Sequence, residues 1–174
     1  MSEPGCSAGR EQGFECLPQT GGWPKVRRLD LPAVLELVLP TGLRHRVTLV
    51  ALNDESANLT IAGRQYTFPL LDIDRVWDGS FIILWKPPFP WRPLSLGIRG
   101  NEVIWLRQTL DALDGKSGPS DVSDTYDEDL RRRVVAYQQD RSLIPDGFVG
   151  SETLVRLTVD LERENAPSIS RRTP

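Results

Sequence analysis

Histidine occurs once, at His45, and cysteine twice, at Cys6 and Cys16, among 174 residues. Without a CxxC or HxxxH spacing, these are too few soft ligands for a zinc site, so no metal is expected. No apolar stretch approaches the roughly 20 residues of a membrane helix, residues 81–85 being one of the longest. The opening MSEPGCSAGREQ has neither the basic start nor the apolar middle of a signal peptide, so a role outside the cytosol would make this chain a fragment whose targeting signal lies elsewhere. An excess of one charge is missing too. Lys plus Arg number 21 and Asp plus Glu 24, a net charge of −3 that advertises neither nucleic acid nor an anionic membrane as partner. Nor is there a P-loop glycine motif, which excludes ATP hydrolysis by these residues, and no cofactor is expected. What is present is 39% hydrophobic and 26% charged residues, a balance that excludes a wholly disordered chain.

Cys6 and Cys16 stand ten apart across a polar, glycine-containing segment able to bend back on itself. A structural disulfide, stable only in an oxidising compartment, is the expectation; two free thiols in a frayed N-terminus are the alternative. A loop this short would remove roughly 2 to 3 kcal/mol of unfolded-chain entropy if it closes without strain.

The texture divides near residue 90. Residues 33–39, ending at Pro40-Thr41-Gly42, and 46–52, ending at Asn53-Asp54, are β-branched and apolar runs that predict two antiparallel strands. Residues 58–61 and 65–68 flank a Gly63-Arg64 turn and predict a second hairpin. Residues 81–85 are apolar throughout, as a central strand buried on both faces would be. Residues 70–77 are expected to form one short helix. The prolines at 87, 88, 90 and 93 then make a stiff linker, a proline-rich ligand for another protein's groove being the alternative.

Beyond the linker the apolar period lengthens to about 3.6 residues. Val103, Leu106, Leu110 and Leu113 mark a first helix, which Asn101 can cap; Leu130, Val134, Tyr137 and Arg141 mark a second, opened by acidic Asp127-Glu128-Asp129 and stopped before Pro145. Leu154, Leu157 and Leu161 mark a third, which Ser151 can cap. Residues 115–125 read as a polar, mobile connection. The expected class is α+β: a small antiparallel β-sheet domain over 1–86, a linker over 87–93, a three-helix domain over 94–162 and a disordered tail over 163–174.

One segment is specific enough to carry a resemblance. In 143–154, Pro145 stops a helix, Asp146 and Gly147 make a turn tolerant of positive φ, Phe148 plugs the core and Gly150 lets the next helix start close by. With Arg99-Gly100-Asn101-Glu102-Val103-Ile104-Trp105-Leu106-Arg107-Gln108 and Val135-Ala136-Tyr137-Gln138, it resembles the three-helix peptidoglycan-binding domain family over residues 94–159. The family's usual glycine before the leucine of its turn motif is Ser142 here. The resemblance implies non-catalytic attachment to cell-wall glycan or stem peptide in a groove beside the turn. The matching residues are Asp146, Gly147, Phe148, Gly150 and Thr153, with Tyr137 and Gln138 from the second helix. For Asp146, Gly147 and Gly150 the alternative is turn geometry alone, and for Tyr137 a place in the core. An amide suits acetamido and peptide groups, and an aromatic face suits a sugar or stem. Arg131-Arg132-Arg133 point in different directions on a helix and read as a solvated face.

The N-terminal half, through Trp23, residues 29–35, 45–49 and 77–85, resembles the C-terminal sheet of papain-like, double-glycine-type peptidases. His45 matches the catalytic histidine position. The nucleophile's helix is missing after Cys16, where Leu17-Pro18-Gln19-Thr20-Gly21-Gly22 follows, and Ala62-Gly63 stand where the orienting acid belongs. A degenerate, inactive relative is the expectation. A cysteine peptidase using Cys16 and His45 is one alternative; a scaffold docking secretion partners through the β half is another. The order of the two parts, with Cys6 and Cys16, is similar to the periplasmic C-terminal region of the general secretion pathway protein A family. That resemblance implies a periplasmic part of an inner-membrane protein with no membrane contact of its own. It also implies engagement of peptidoglycan during secretin assembly in type II secretion, together with a B-type partner protein, and homo-oligomerisation of the full-length protein.

Overall fold

Along Ala33–Val38 buried and half-buried positions alternate, as in a strand with one face on a core. The computed structural model describes residues 6, 11–90, 92–116, 123–162 and 167–170. These divide into two compact units, one running to Lys86 and taking in the residues from Pro167, the other beginning at Pro87. The class is α+β. In the first unit β1 (Glu15–Thr20), α1 (Trp23–Leu29), β2 (Ala33–Val38), β3 (Arg44–Leu52), β4 (Ser56–Ile61), β5 (Arg64–Pro69), α2 (Leu70–Asp74) and β6 (Trp77–Trp85) follow one another. Every pairing in the sheet is antiparallel, in the order β1-β6-β2-β3-β4-β5.

Both expected hairpins form. Register pairs Leu35 with Val47 and Phe81, and Leu49 with Ala33 and Leu59, so these buried side chains share one face. β6 lies inside the sheet, between β1 and β2, but is not buried on both faces: Phe81, Ile83 and Trp85 enter the core while Leu84 is 44% exposed. Such one-sided burial is what an antiparallel sheet permits. Trp23 of α1 stacks on Trp77 at 4.5 Å between ring centroids and donates its indole N–H to Asp74 at 2.7 Å. The helix expected over 70–77 stops at Asp74, because β6 already begins at Trp77.

A disulfide joins Cys6 to Cys16, on β1. Residues 167–170 correct the expected disordered tail: Ile169 is 2% exposed and accepts the Leu52 N–H at 2.9 Å. Asp30 holds this segment through Ser168 Oγ at 2.9 Å and the Ser170 N–H at 3.0 Å. One apolar anchor and a carboxylate clamp order a segment whose composition alone reads as a tail. The rest of the tail, 163–166 and 171–174, lies outside the described residues, as do 117–122 of the expected mobile connection.

The second unit holds α3 (Asn101–Leu113), α4 (Glu128–Asp140) and α5 (Ser151–Leu161) around a core that includes Leu94, Val103, Leu106, Tyr126, Leu130, Val134, Leu154 and Leu157. Asn101 and Ser151 are the first helical residues, and Gly100 and Gly150 take the N-cap positions expected of them. Leu161, expected on the buried side of the third helix, is 43% exposed. Phe89, in the expected linker, packs edge-on against Trp105 of α3 at 5.4 Å, and Arg92 pairs with Glu102 at 2.8 Å. The proline-rich stretch is thus partly docked on its own helical unit. No helix among the described residues is long and apolar enough to cross a membrane.

Candidate functional site

α4 presents Tyr137 and Gln138 beside the turn that leads to α5. Its start is set by Asp127, whose carboxylate accepts the Leu130 N–H at 2.8 Å and the Arg107 guanidinium at 2.7 Å. These bonds, the backbone one foremost, hold its carboxyl below the ordinary range. The helix ends at Asp140 with Arg141 as its C-cap, and Ser142 beyond it adopts a positive φ of 55°; the Leu143 N–H then closes onto the Gln138 carbonyl at 2.8 Å.

The following turn is built around one buried amide. Gln138 is 1% exposed, and its Oε1 accepts the Gly147 N–H at 2.9 Å. Its Nε2 donates to the Phe148 carbonyl at 2.9 Å and reaches Asp146 Oδ1 and Thr153 Oγ1, each at 3.2 Å. Asp146 Oδ1 also accepts the Phe148 N–H at 2.8 Å, and the Tyr126 hydroxyl donates to the Gly147 carbonyl at 2.8 Å. Burial pushes the Tyr126 hydroxyl pKa up, so it stays a donor at any physiological pH. Gly147 is required twice over: its φ is +72°, and a Cβ there would stand 2.7 Å from the Arg131 side chain.

Over this frame lies a shallow cleft of about 200 Å³, walled by Ile144, Asp146, Phe148, Ser151, Glu152 and Thr153, with Gln138 at its floor. Six of the seven residues expected at the site thus converge on one turn. Two placements differ from the expectation, those of Tyr137 and Phe148. Tyr137 does not line the cleft. It is 7% exposed and its hydroxyl donates to Asp160 at 2.8 Å, within a buried network in which Arg141 and Arg156 each reach that carboxylate at 2.6 Å. Gln138 lines the cleft, and its amide is bonded to the turn's own backbone at Gly147 and Phe148. Phe148, expected to plug the core, is 43% exposed and forms a wall; Val149 and Leu143 are the buried residues there. Ile144, 76% exposed, and Glu152 escaped the sequence reading. An isoleucine wedged between a buried leucine and a proline in a turn was the available signal. Arg131 and Arg132 pair with Glu128 and Asp129 on their own helix, and Arg133 with Asp111 and Asp114 of its neighbourhood.

In the first unit, Cys16 Sγ is bonded to Cys6 and His45 is exposed on β3 opposite Leu37. Among the described residues no cluster of three or more His, Cys, Asp or Glu could hold a metal ion.

The segment that holds the three helices and the clamped aspartyl-glycyl turn, residues 99–157, matches the family described as "Putative peptidoglycan binding domain". The chain as a whole resembles general secretion pathway protein A. It is 28% identical over 164 residues to the "General secretion pathway protein A" of Aeromonas hydrophila, covering 91% of this chain and 29% of that protein. It is 26% identical over 113 residues to the "Putative general secretion pathway protein A" of Escherichia coli (strain K12), covering 64% of this chain and 22% of that one. The chain therefore spans under a third of the length of these relatives. Among solved structures it is similar to a periplasmic domain of the EpsAB fusion protein of the Vibrio vulnificus type II secretion system. That match has a TM-score of 0.57 and 26% identity, over 83% of this chain and 64% of the other.

Proposed function

We propose that this chain is a non-catalytic, periplasmic wall-binding region of a type II secretion protein, which anchors to peptidoglycan during secretin assembly. The observation that carries the reading is the turn between α4 and α5. It falls inside the matched family segment, and its clamp holds an exposed Ile144 and Phe148 beside the carboxylates of Asp146 and Glu152. Apolar walls with a few polar groups suit the mixed chemistry of a muropeptide, and a repeated wall ligand raises the avidity of a weak single site. The solved relative being an AB fusion supports a B-type partner protein, and its periplasmic origin supports the compartment in which the Cys6–Cys16 disulfide persists. The same disulfide supports the non-catalytic reading, since the bonded sulfur is not a thiolate.

Co-sedimentation with purified murein sacculi tests this. The chain is expected in the pellet at moderate salt, and Phe148→Ala with Ile144→Ala is expected to shift it to the supernatant with thermal stability within about 1 kcal/mol of the parent, as for exposed positions. Parent protein left in the supernatant would sink the reading.

A further inference from the structure

The sheet ends on β5, and among the described residues no strand pairs with its outer edge. The phase of its backbone groups is fixed. Ala62 and Gly63, with φ of 49° and 78°, form a two-residue turn that makes Ile61 and Arg64 a hydrogen-bonded pair. The Leu70 N–H on the Glu55 carbonyl at 2.9 Å continues the same alternation. Arg64, Tyr66 and Phe68 therefore turn their backbone groups toward β4. Gln65 and Thr67 present theirs outward, and Pro69 offers a carbonyl alone.

This edge carries guards only at its two ends, Arg64 and Pro69. Its register with β4 runs unbroken from Ser56↔Pro69 to Ile61↔Arg64, without a bulge. On the core-facing side it ends in Tyr66, 45% exposed, and Phe68, with ring centroids 6.4 Å apart. The opposite edge, β1, carries Pro18 within the strand and the disulfide at Cys16, both of which discourage pairing.

We propose that β5 pairs antiparallel with β5 of a second copy of this chain about a two-fold axis at Tyr66. In that register Gln65 of each copy faces Thr67 of the other, so both outward donors and both outward acceptors of each strand are satisfied and the missing N–H of Pro69 is not needed. Sliding by two positions one way sets Pro69 opposite Gln65 on both sides of the axis and leaves the two Gln65 carbonyls without a donor; sliding the other way sets Thr67 against Gly63 of the turn. Arg64 meets Phe68 of the second copy, so no like charges are opposed, and the two Tyr66 rings form the close cross-strand pair. One strand pairing is smaller than a standard interface, which makes the association weak, with a dissociation constant on the order of 10–100 µM. The inference does not rest on the wall-binding reading.

Sedimentation equilibrium of the whole chain from about 1 µM to about 1 mM tests it, with a dimer that dissociates on dilution expected. Tyr66→Lys and Tyr66→Glu each place like charges across the axis and are expected to weaken association about tenfold; mixing the two variants is expected to restore it. Thr67→Pro removes the outward donor together with the hydroxyl bond to Asn58 at 2.9 Å, and is expected to abolish the dimer with an unchanged far-ultraviolet circular dichroism spectrum, whereas Thr67→Val, which loses that hydroxyl bond alone, is expected to leave the dimer in place. A monomer at every concentration, or a dimer indifferent to these substitutions, overturns the proposal.

Discussion

Replacing Gln138 by Leu tests how the turn is held. The volume is nearly kept, so the loss comes from hydrogen bonds. The Gly147 N–H and the Phe148 carbonyl lose their amide partner in a place where Gln138 itself is 1% exposed. Asp146 and Thr153 each lose a weaker contact at 3.2 Å. A buried polar group stripped of its partner costs about 1–3 kcal/mol. The Gly147 N–H is fully enclosed and the Phe148 carbonyl partly so, which gives a destabilisation of about 3 kcal/mol for the helical unit. For a unit of this size that lowers the melting temperature by on the order of 10–20 °C. Urea unfolding followed at 222 nm, where the three helices dominate, reads the change as a fall in midpoint at constant slope. Sacculus binding is expected to fall with it even below the new transition, because the turn that supports Phe148 loses its clamp. A loss under about 1 kcal/mol would refute the reasoning and mean that water satisfies the stripped groups.

Other outcomes follow from the same geometry. Ser142→Gly relieves a left-handed residue at a helix end and is expected to raise the stability of the helical unit by about 0.5–1 kcal/mol in the same urea experiment. Asp127→Ala removes the N-cap of α4 and is expected to cost about 1 kcal/mol at neutral pH. The folded-state pKa of Asp127 is lowered, so its contribution is present above the ordinary carboxylate range and is lost as pH falls through and below it; the parent and Asp127→Ala unfolding midpoints should therefore converge at acid pH. Replacing both Cys6 and Cys16 by Ser is expected to cost the β-sheet unit roughly 2 to 3 kcal/mol in thermal unfolding, and a reductant should do the same to the parent.

Much of this architecture is visible in the pattern of residues. Period-two runs locate β2 to β5, and the 3.6 spacing of Val103, Leu106 and Leu110 or Leu130, Val134 and Tyr137 locates α3 and α4, because those periods follow directly from which face is buried. β1 and α1 were not foreseen. Leu17-Pro18-Gln19 has no strand periodicity, and pairing with β6 outweighs its propensity. Trp23 to Leu29 is a seven-residue helix with proline near its start, held by the burial of Trp23, Val26 and Leu29 instead of by a helical signature. At the site, composition and spacing located the turn but not the direction of each side chain. Phe148 and Val149 are adjacent and both apolar, and only the Leu94↔Val149 bridge decides that the valine goes inward. Gln138 reads from the sequence as a ligand contact, and its part in holding the turn shows only once the Gly147 N–H is seen on its oxygen. Ile169, 117 residues beyond Leu52 in sequence, is a contact no local pattern could announce.

The cleft beside the aspartyl-glycyl turn is the centre of the account, and amide chemical-shift mapping with a soluble muropeptide reaches it most directly. Titration is expected to move the Ile144, Asp146, Phe148, Ser151 and Glu152 resonances together while those of Tyr137 and of the β-sheet unit stay in place. Shifts confined to the β-sheet unit, or none at millimolar muropeptide, would contradict it.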